Sequence, residues 1–217
     1  MNIVWMMIGI PAAAGAAAFL LPWRRPPRAL LPAAALAHAA CVARAWIARS
    51  AGHPPEGAWF ALDAPGLLFL TIASLLFLAA SWYATGYLER EGATSRRDAE
   101  EGFLFVNQPA AVFSGCLLLF LAMMTLVCTS RHLGMLWVAI EATTLASAPP
   151  ICFHRHHRSL EAAWKYLLIC SVGIALALLG TFFLVAAAGG AAPEAAAPPS
   201  LLLADLAQAA PRIAPLR

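Results

Sequence analysis

Charged side chains along this 217-residue chain gather in tight groups at 24 to 28, 89 to 101 and 154 to 158, and long apolar stretches run between them. About 20 helical residues cross the ~30 Å of hydrocarbon in a bilayer. The pattern predicts six transmembrane helices, at roughly 2 to 21, 29 to 48, 64 to 88, 103 to 128, 132 to 153 and 160 to 187. Helices pair all their own backbone polar groups, which lipid requires. The third span is preceded by residues 57 to 66, where Trp59 and Asp63 suit a membrane interface better than hydrocarbon.

Residues 186 to 199 form an Ala/Pro/Gly-rich low-complexity linker, and the mildly apolar tail after it carries Asp205, Pro211 and Pro215. Seventeen residues so interrupted make a poor seventh span. The expected organisation is therefore a transmembrane helical domain over 1–190 and a linker with a C-terminal segment over 191–217.

Hydrophobic residues make up 62% of the chain and charged residues 12%, which a soluble domain of this size does not show. The reading is an all-α, polytopic membrane protein. Arginine placement gives it an orientation. The loops after spans one, three and five carry Arg24, Arg25, Arg28, Arg90, Arg96, Arg97, Arg155 and Arg158, whereas those after spans two and four carry Arg49 and Arg131. By the positive-inside rule the first set is cytoplasmic and the N-terminus lies outside an inner (cytoplasmic) membrane. A cleaved leader would carry positive charge ahead of its apolar run, and here the arginines follow it, so the first helix is read as retained.

One acid falls inside a span. Glu141 lies in Leu-Gly-Met-Leu-Trp-Val-Ala-Ile-Glu-Ala-Thr-Thr-Leu-Ala-Ser-Ala-Pro-Pro. An ionisable group at that depth is costly in lipid, so it faces protein or water and marks an ion path. Thr143 and Thr144 are candidate supporting hydroxyls, and His132 stands at the start of the span. On the next helix Lys165 follows Glu161 at i+4, in the order that favours a local surface ion pair. Lys165 is also within a water or two of Glu141 if the two helices face each other. A cation there would lower the affinity of the carboxylate for a proton while desolvation raises it.

The run from Arg131 to Phe183, above all the Glu141 segment and Leu-Glu-Ala-Ala-Trp-Lys-Tyr-Leu-Leu-Ile-Cys-Ser-Val-Gly, resembles the hydrogenase-4 component F group of the proton-conducting membrane transporter family. Tyr83-Ala84-Thr85-Gly86-Tyr87-Leu88-Glu89 resembles the end of that family's third helix, while spans one and two match only in hydropathy. The family includes antiporter-like subunits of respiratory complex I, of formate hydrogenlyase-type complexes and of multi-subunit sodium/proton antiporters. The resemblance implies that Glu141 is the family's membrane-embedded glutamate of the fifth helix, and that Lys165 matches a lysine at the start of the sixth. It also implies partners: other membrane subunits of a hydrogenase or complex I-like (NADH-quinone oxidoreductase-like) assembly, within the lipid bilayer.

Family members run to about fourteen helices on two inverted repeats. This chain ends at Arg217, before the broken seventh helix and its lysine, so an incomplete antiporter-like fold is expected. Three readings follow: a split subunit completed by a second chain that supplies the missing helices, a truncated inactive product, or a non-conducting structural or assembly element. The end of the chain favours truncation over the split.

Other chemistries are weaker. Cys41, Cys116, Cys128, Cys152 and Cys170 lack metal-ligand spacing. His154, His156 and His157 read as a basic loop at lipid headgroups. A haem needs two facing ligands, and His38 is deep in a span while His132 sits at a boundary. No phosphate-binding glycine loop is present. No catalytic residue, cofactor, metal or nucleic-acid partner is expected in this chain, and any redox chemistry belongs to partner subunits.

Overall fold

A computed structural model describes residues 3–20, 29–52, 57–91, 96–97, 104–105, 107–190 and 200–212. Helices dominate it: α1 (Ile3–Leu20), α2 (Leu30–Ser50), α3 (Ala64–Glu91), α4 (Ala110–Thr129), α5 (Leu133–Ile151), α6 (His157–Gly190) and a short α7 (Leu203–Ala209) that runs into a 3-10 turn, Ala210–Arg212. Residues 96–97 and 104–105 form a two-residue antiparallel pair with Arg96 opposite Phe105. The linker residues 191–199 and Arg24, Arg25 and Arg28 lie outside the described residues.

Five helices, α1, α2, α3, α4 and α6, are long and apolar enough to cross a membrane. α5 is also 19 residues long but carries Glu141, Thr143, Thr144, Ser147, Pro149 and Pro150, which dilute its apolar character. Its two ends nevertheless reach the two ends of the bundle. At the end where α3 and α5 begin, here called upper, the Ala61 amide donates to Thr129 O at 2.9 Å and the Arg131 amide to Trp59 O at 2.8 Å. The Leu133 amide donates to Leu201 O and the Leu203 amide to Arg131 O, each at 2.9 Å. Residues 129 to 133 are thus the central strand of a three-segment ribbon that also holds the segment leading into α7. At the lower end the Gln108 amide donates to Phe153 O at 2.8 Å, and Asn107 bridges Glu91 O and the His154 ring. The arginine-poor loops therefore share one end. Arg90, Arg155 and Arg158 share the other.

The helix ends have local causes. Asp63 caps α3 by accepting from the Gly66 amide at 2.8 Å, and His132 Nδ1 caps α5 by accepting from the Met135 amide at 3.3 Å. α4 starts at Ala110, later than the expected 103, because Pro109 cannot continue a ladder of donors and Asn107 and Gln108 are tied to α5's far end. α6 extends beyond its expected bounds at both ends, to His157 and Gly190.

α1 to α4 form a four-helix frame, α5 packs on α4, and α6 packs on α5. Two apolar clusters fill the frame. One holds Val4, Met7, Cys41, Val42, Ala45, Leu62, Leu67 and Leu70; the other holds Leu31, Ala34, Ala35, Phe77, Ala84, Leu118 and Leu121. Between them in sequence on each helix lie His38 of α2 and Ser74 of α3, both buried. Aromatic side chains ring the exposed surface near both ends: Trp5, Trp46 and Trp59 toward the upper, Trp82, Tyr83 and Trp164 toward the lower. That arrangement is typical of membrane interfaces.

α1 and α4 cross closely. A Cβ added at Gly15 would lie 3.0 Å from the Gly115 carbonyl oxygen and 3.2 Å from the Leu119 side chain. Small residues permit such backbone approach where no hydrophobic force drives helices together in lipid. Gly15→Val should therefore destabilise the chain by about 1–3 kcal/mol, lowering its thermal midpoint in detergent by several degrees. Gly9→Ala, at a position with no atom within 4 Å, should not lower it. Equal losses in the two variants would contradict this crossing.

Candidate functional site

Glu141 stands eight residues after Leu133 and ten before Ile151, so it is ~12 Å and ~15 Å from the two ends of α5. It is half-buried, on a helix whose fully buried residues are Ala139, Thr144 and Ala148. Its Oε1 accepts a hydrogen bond from the Ser171 hydroxyl of α6 at 3.1 Å. Two further polar contacts cross the same seam. Trp137 Nε1 donates to Ile174 O at 2.8 Å, and the Ser147 and Tyr166 hydroxyls meet at 2.9 Å.

The three contacts define the register. Position numbers fall on α5 as they rise on α6, from 137 with 174 through 141 with 171 to 147 with 166, as antiparallel helices of equal rise require. The less exposed residues of α6, including Ala163, Tyr166, Ser171, Ile174 and Leu178, recur at three- and four-residue steps and form one stripe toward α5. The rest of α6 is exposed.

Lys165 falls off that stripe. Its Nζ donates to Glu161 Oε1 at 2.5 Å, with the two side chains 69% and 59% exposed. The structure thus joins Lys165 to Glu161 and does not bring Lys165 to Glu141; the lysine lies six residues, or ~9 Å along the axis, from Ser171. Thr143 and Thr144 likewise turn to the backbone, donating to Ile140 O at 2.6 and 3.2 Å. His132 caps α5 and stacks on Trp59 with centroids 4.6 Å apart and planes 7° from parallel.

Below Glu141 the seam is polar where the Ser147 and Tyr166 hydroxyls meet. Pro149 and Pro150 lack amide hydrogens, so the carbonyls of Leu145 and Ala146 lose their helical donors. The Ser147–Tyr166 hydroxyl pair lies beside those positions. Among the described residues no three His, Cys, Asp or Glu side chains converge as a metal site.

Sequence reading did not find Ser171, Ser147 or Tyr166. Their signal is the antiparallel register itself, which emerges only once α5 and α6 are known to be neighbours and one contact fixes the phase.

No family model matches the chain. It is 31% identical over 128 residues to a hydrogenase-4 component F homolog of Methylacidiphilum infernorum, a match that covers 59% of this chain and 25% of that protein. The chain thus matches about a quarter of that curated relative's length. Its fold is similar to a chain of respiratory complex I from Thermus thermophilus, with a TM-score of 0.61 and 23% identity over 96% of this chain and 42% of that one. The resemblance to the hydrogenase-4 component F group read from residues 131 to 183 thus recurs in a sequence relative of that name. With five helices able to cross a bilayer, the chain is a multi-pass membrane protein.

The contact between Ser171 and Glu141 has a spectroscopic consequence. Removing the hydroxyl in Ser171→Ala should move the infrared carbonyl stretch of protonated Glu141, identified by its loss in Glu141→Gln, to higher frequency, as for a carboxyl that has lost a hydrogen bond. An unmoved band would mean that the two side chains do not touch.

Proposed function

We propose that this chain is a membrane subunit, or the N-terminal part of one, of an energy-converting hydrogenase-4 or NADH-quinone oxidoreductase-like complex, and that Glu141 carries protons within it. One observation carries the reading: a half-buried carboxyl at the middle of its helix, held by a neutral hydroxyl across a seam whose lower half is polar. Such a group changes protonation with limited change in its surroundings, as a relay site requires. The likeness to the hydrogenase-4 component F homolog supports the assignment to such a complex, whose other membrane subunits would be its partners.

In this account the arginine-rich lower end faces the cytoplasm, the N-terminus lies outside, and protons reach Glu141 along the α5–α6 seam. Ser171 orients the carboxyl. Lys165, paired with Glu161 on the exposed face, biases the site weakly through its charge, because solvent and salt screen a pair so exposed. Residues from a further polypeptide would complete the path beyond α6.

A second reading, a structural membrane element that moves no ions, draws on the same hydroxyl contact, since Ser171 also satisfies a half-buried acid. Replacement of Glu141 separates the two. Glu141→Gln keeps volume and polarity and cannot hold a proton, so in the intact complex it should cut proton translocation by about a hundredfold or more, the lower end of what losing a proton-transfer group costs, with assembly unchanged. Lys165→Ala should have a smaller effect. Full pumping by Glu141→Gln would remove the residue from the path and leave the structural reading.

A further inference from the structure

A second ionisable side chain lies inside the bundle, and the site above does not use it. His38 of α2 is fully buried, with Nδ1 3.1 Å from the Ser74 hydroxyl of α3 and Nε2 2.9 Å from the Thr125 hydroxyl of α4. One imidazole therefore touches three helices.

Hydrogen-bond polarity fixes its state. The Thr125 hydroxyl donates to Leu121 O at 2.8 Å, one helical turn back, so toward the ring its oxygen can only accept. Nε2 must then carry the hydrogen. Thr71 follows the same rule on α3, giving its proton to Leu67 O at 2.7 Å and accepting from Trp46 Nε1 at 2.9 Å. Ser74 has no such backbone bond among the described residues, so its hydroxyl is free to donate to Nδ1. The neutral ring with hydrogen on Nε2 is thus satisfied at both nitrogens.

A protonated ring is not similarly served. Both nitrogens would become donors, Ser74 would have to reverse, and a full charge would sit among neutral groups. No charged side chain contacts the ring from α2, α3 or α4 among the described residues, and apolar clusters containing Ala35 and Phe77 on one side and Cys41 and Leu70 on the other close it in. Burying an uncompensated charge there costs far more than the neutral clamp gains.

We infer that His38 is a positioning residue, a permanently neutral pin that fixes the register of α2, α3 and α4 and thereby the frame on which α5 presents Glu141. It is neither a proton carrier nor a haem ligand, because both ring nitrogens are already engaged. On this inference Glu141, exchanging protons at the α5–α6 seam, and His38, denied them, have opposite tasks.

Glutamine tests this directly, because its amide offers one donor and one acceptor, as the neutral ring does, and never ionises. In the assembled complex His38→Gln should keep the thermal midpoint to within about 2 °C and should keep proton translocation. His38→Ala, which leaves the Ser74 hydroxyl without an acceptor and opens a cavity, should lower the midpoint by on the order of 5 °C or more. Nitrogen-15 spectra of the wild type should show one His38 tautomer, with hydrogen on Nε2, from about pH 5.5 to about pH 8.5, where an ordinary histidine titrates. A ring that titrates in that range, a His38→Gln midpoint as low as that of His38→Ala, or lost translocation in an assembled His38→Gln complex would each overturn the inference. The midpoint and the spectra decide the matter even if Glu141 proves to carry no protons.

Discussion

Lipid offers no partner to a polar group, so each polar side chain in this bundle has to be met by another part of the chain. That constraint organises the molecule. Several hydroxyls inside the helices turn to their own carbonyls, as those of Thr125, Thr129, Thr143 and Thr144 do. The residues that cannot do so, His38, Trp46, Trp137 and Glu141, reach across to neighbouring helices. The crossings fall in two places, the α2–α3–α4 frame and the α5–α6 seam. Glu141 belongs to the seam, where the surroundings are more open.

The same constraint acts at the ends. Loops joining membrane helices carry unpaired backbone groups, and here they pair with each other. Residues 59–61, 129–133 and 201–203 form one ribbon at the upper end, and 107–108 meet 153–154 at the lower. α5 is therefore fixed at both ends to the frame, while α6, among the described residues, rests mainly on α5 with a smaller contact to α7. The broad exposed surface of α6 then faces lipid or a further polypeptide.

Much of this was legible in the sequence because hydropathy and charge grouping are properties of whole stretches. They located the helices, separated the two sets of loops and singled out Glu141. Phase was not legible. Lys165 and Ser171 are six residues apart on one helix, and which of them turns toward α5 is decided by packing, not by hydropathy. The start of α4 was misplaced for a related reason: apolar Phe103, Leu104 and Phe105 extend the hydropathic run, but Pro109 and the ties of Asn107 and Gln108 set where the helix begins. Asp63, read as an interfacial residue, proves also to be a helix cap.

On this account the bundle keeps the polar site at Glu141 reachable and the one at His38 sealed. Substituted-cysteine accessibility tests it in the assembled membrane complex, on a background with the five native cysteines removed. A small water-soluble thiol reagent should modify cysteine placed at Ser171, beside Glu141, and leave cysteine placed at Ser74, beside His38, unmodified. Reaction at Ser74 with none at Ser171 would reverse the assignment, and silence at both would leave Glu141 without a route for protons.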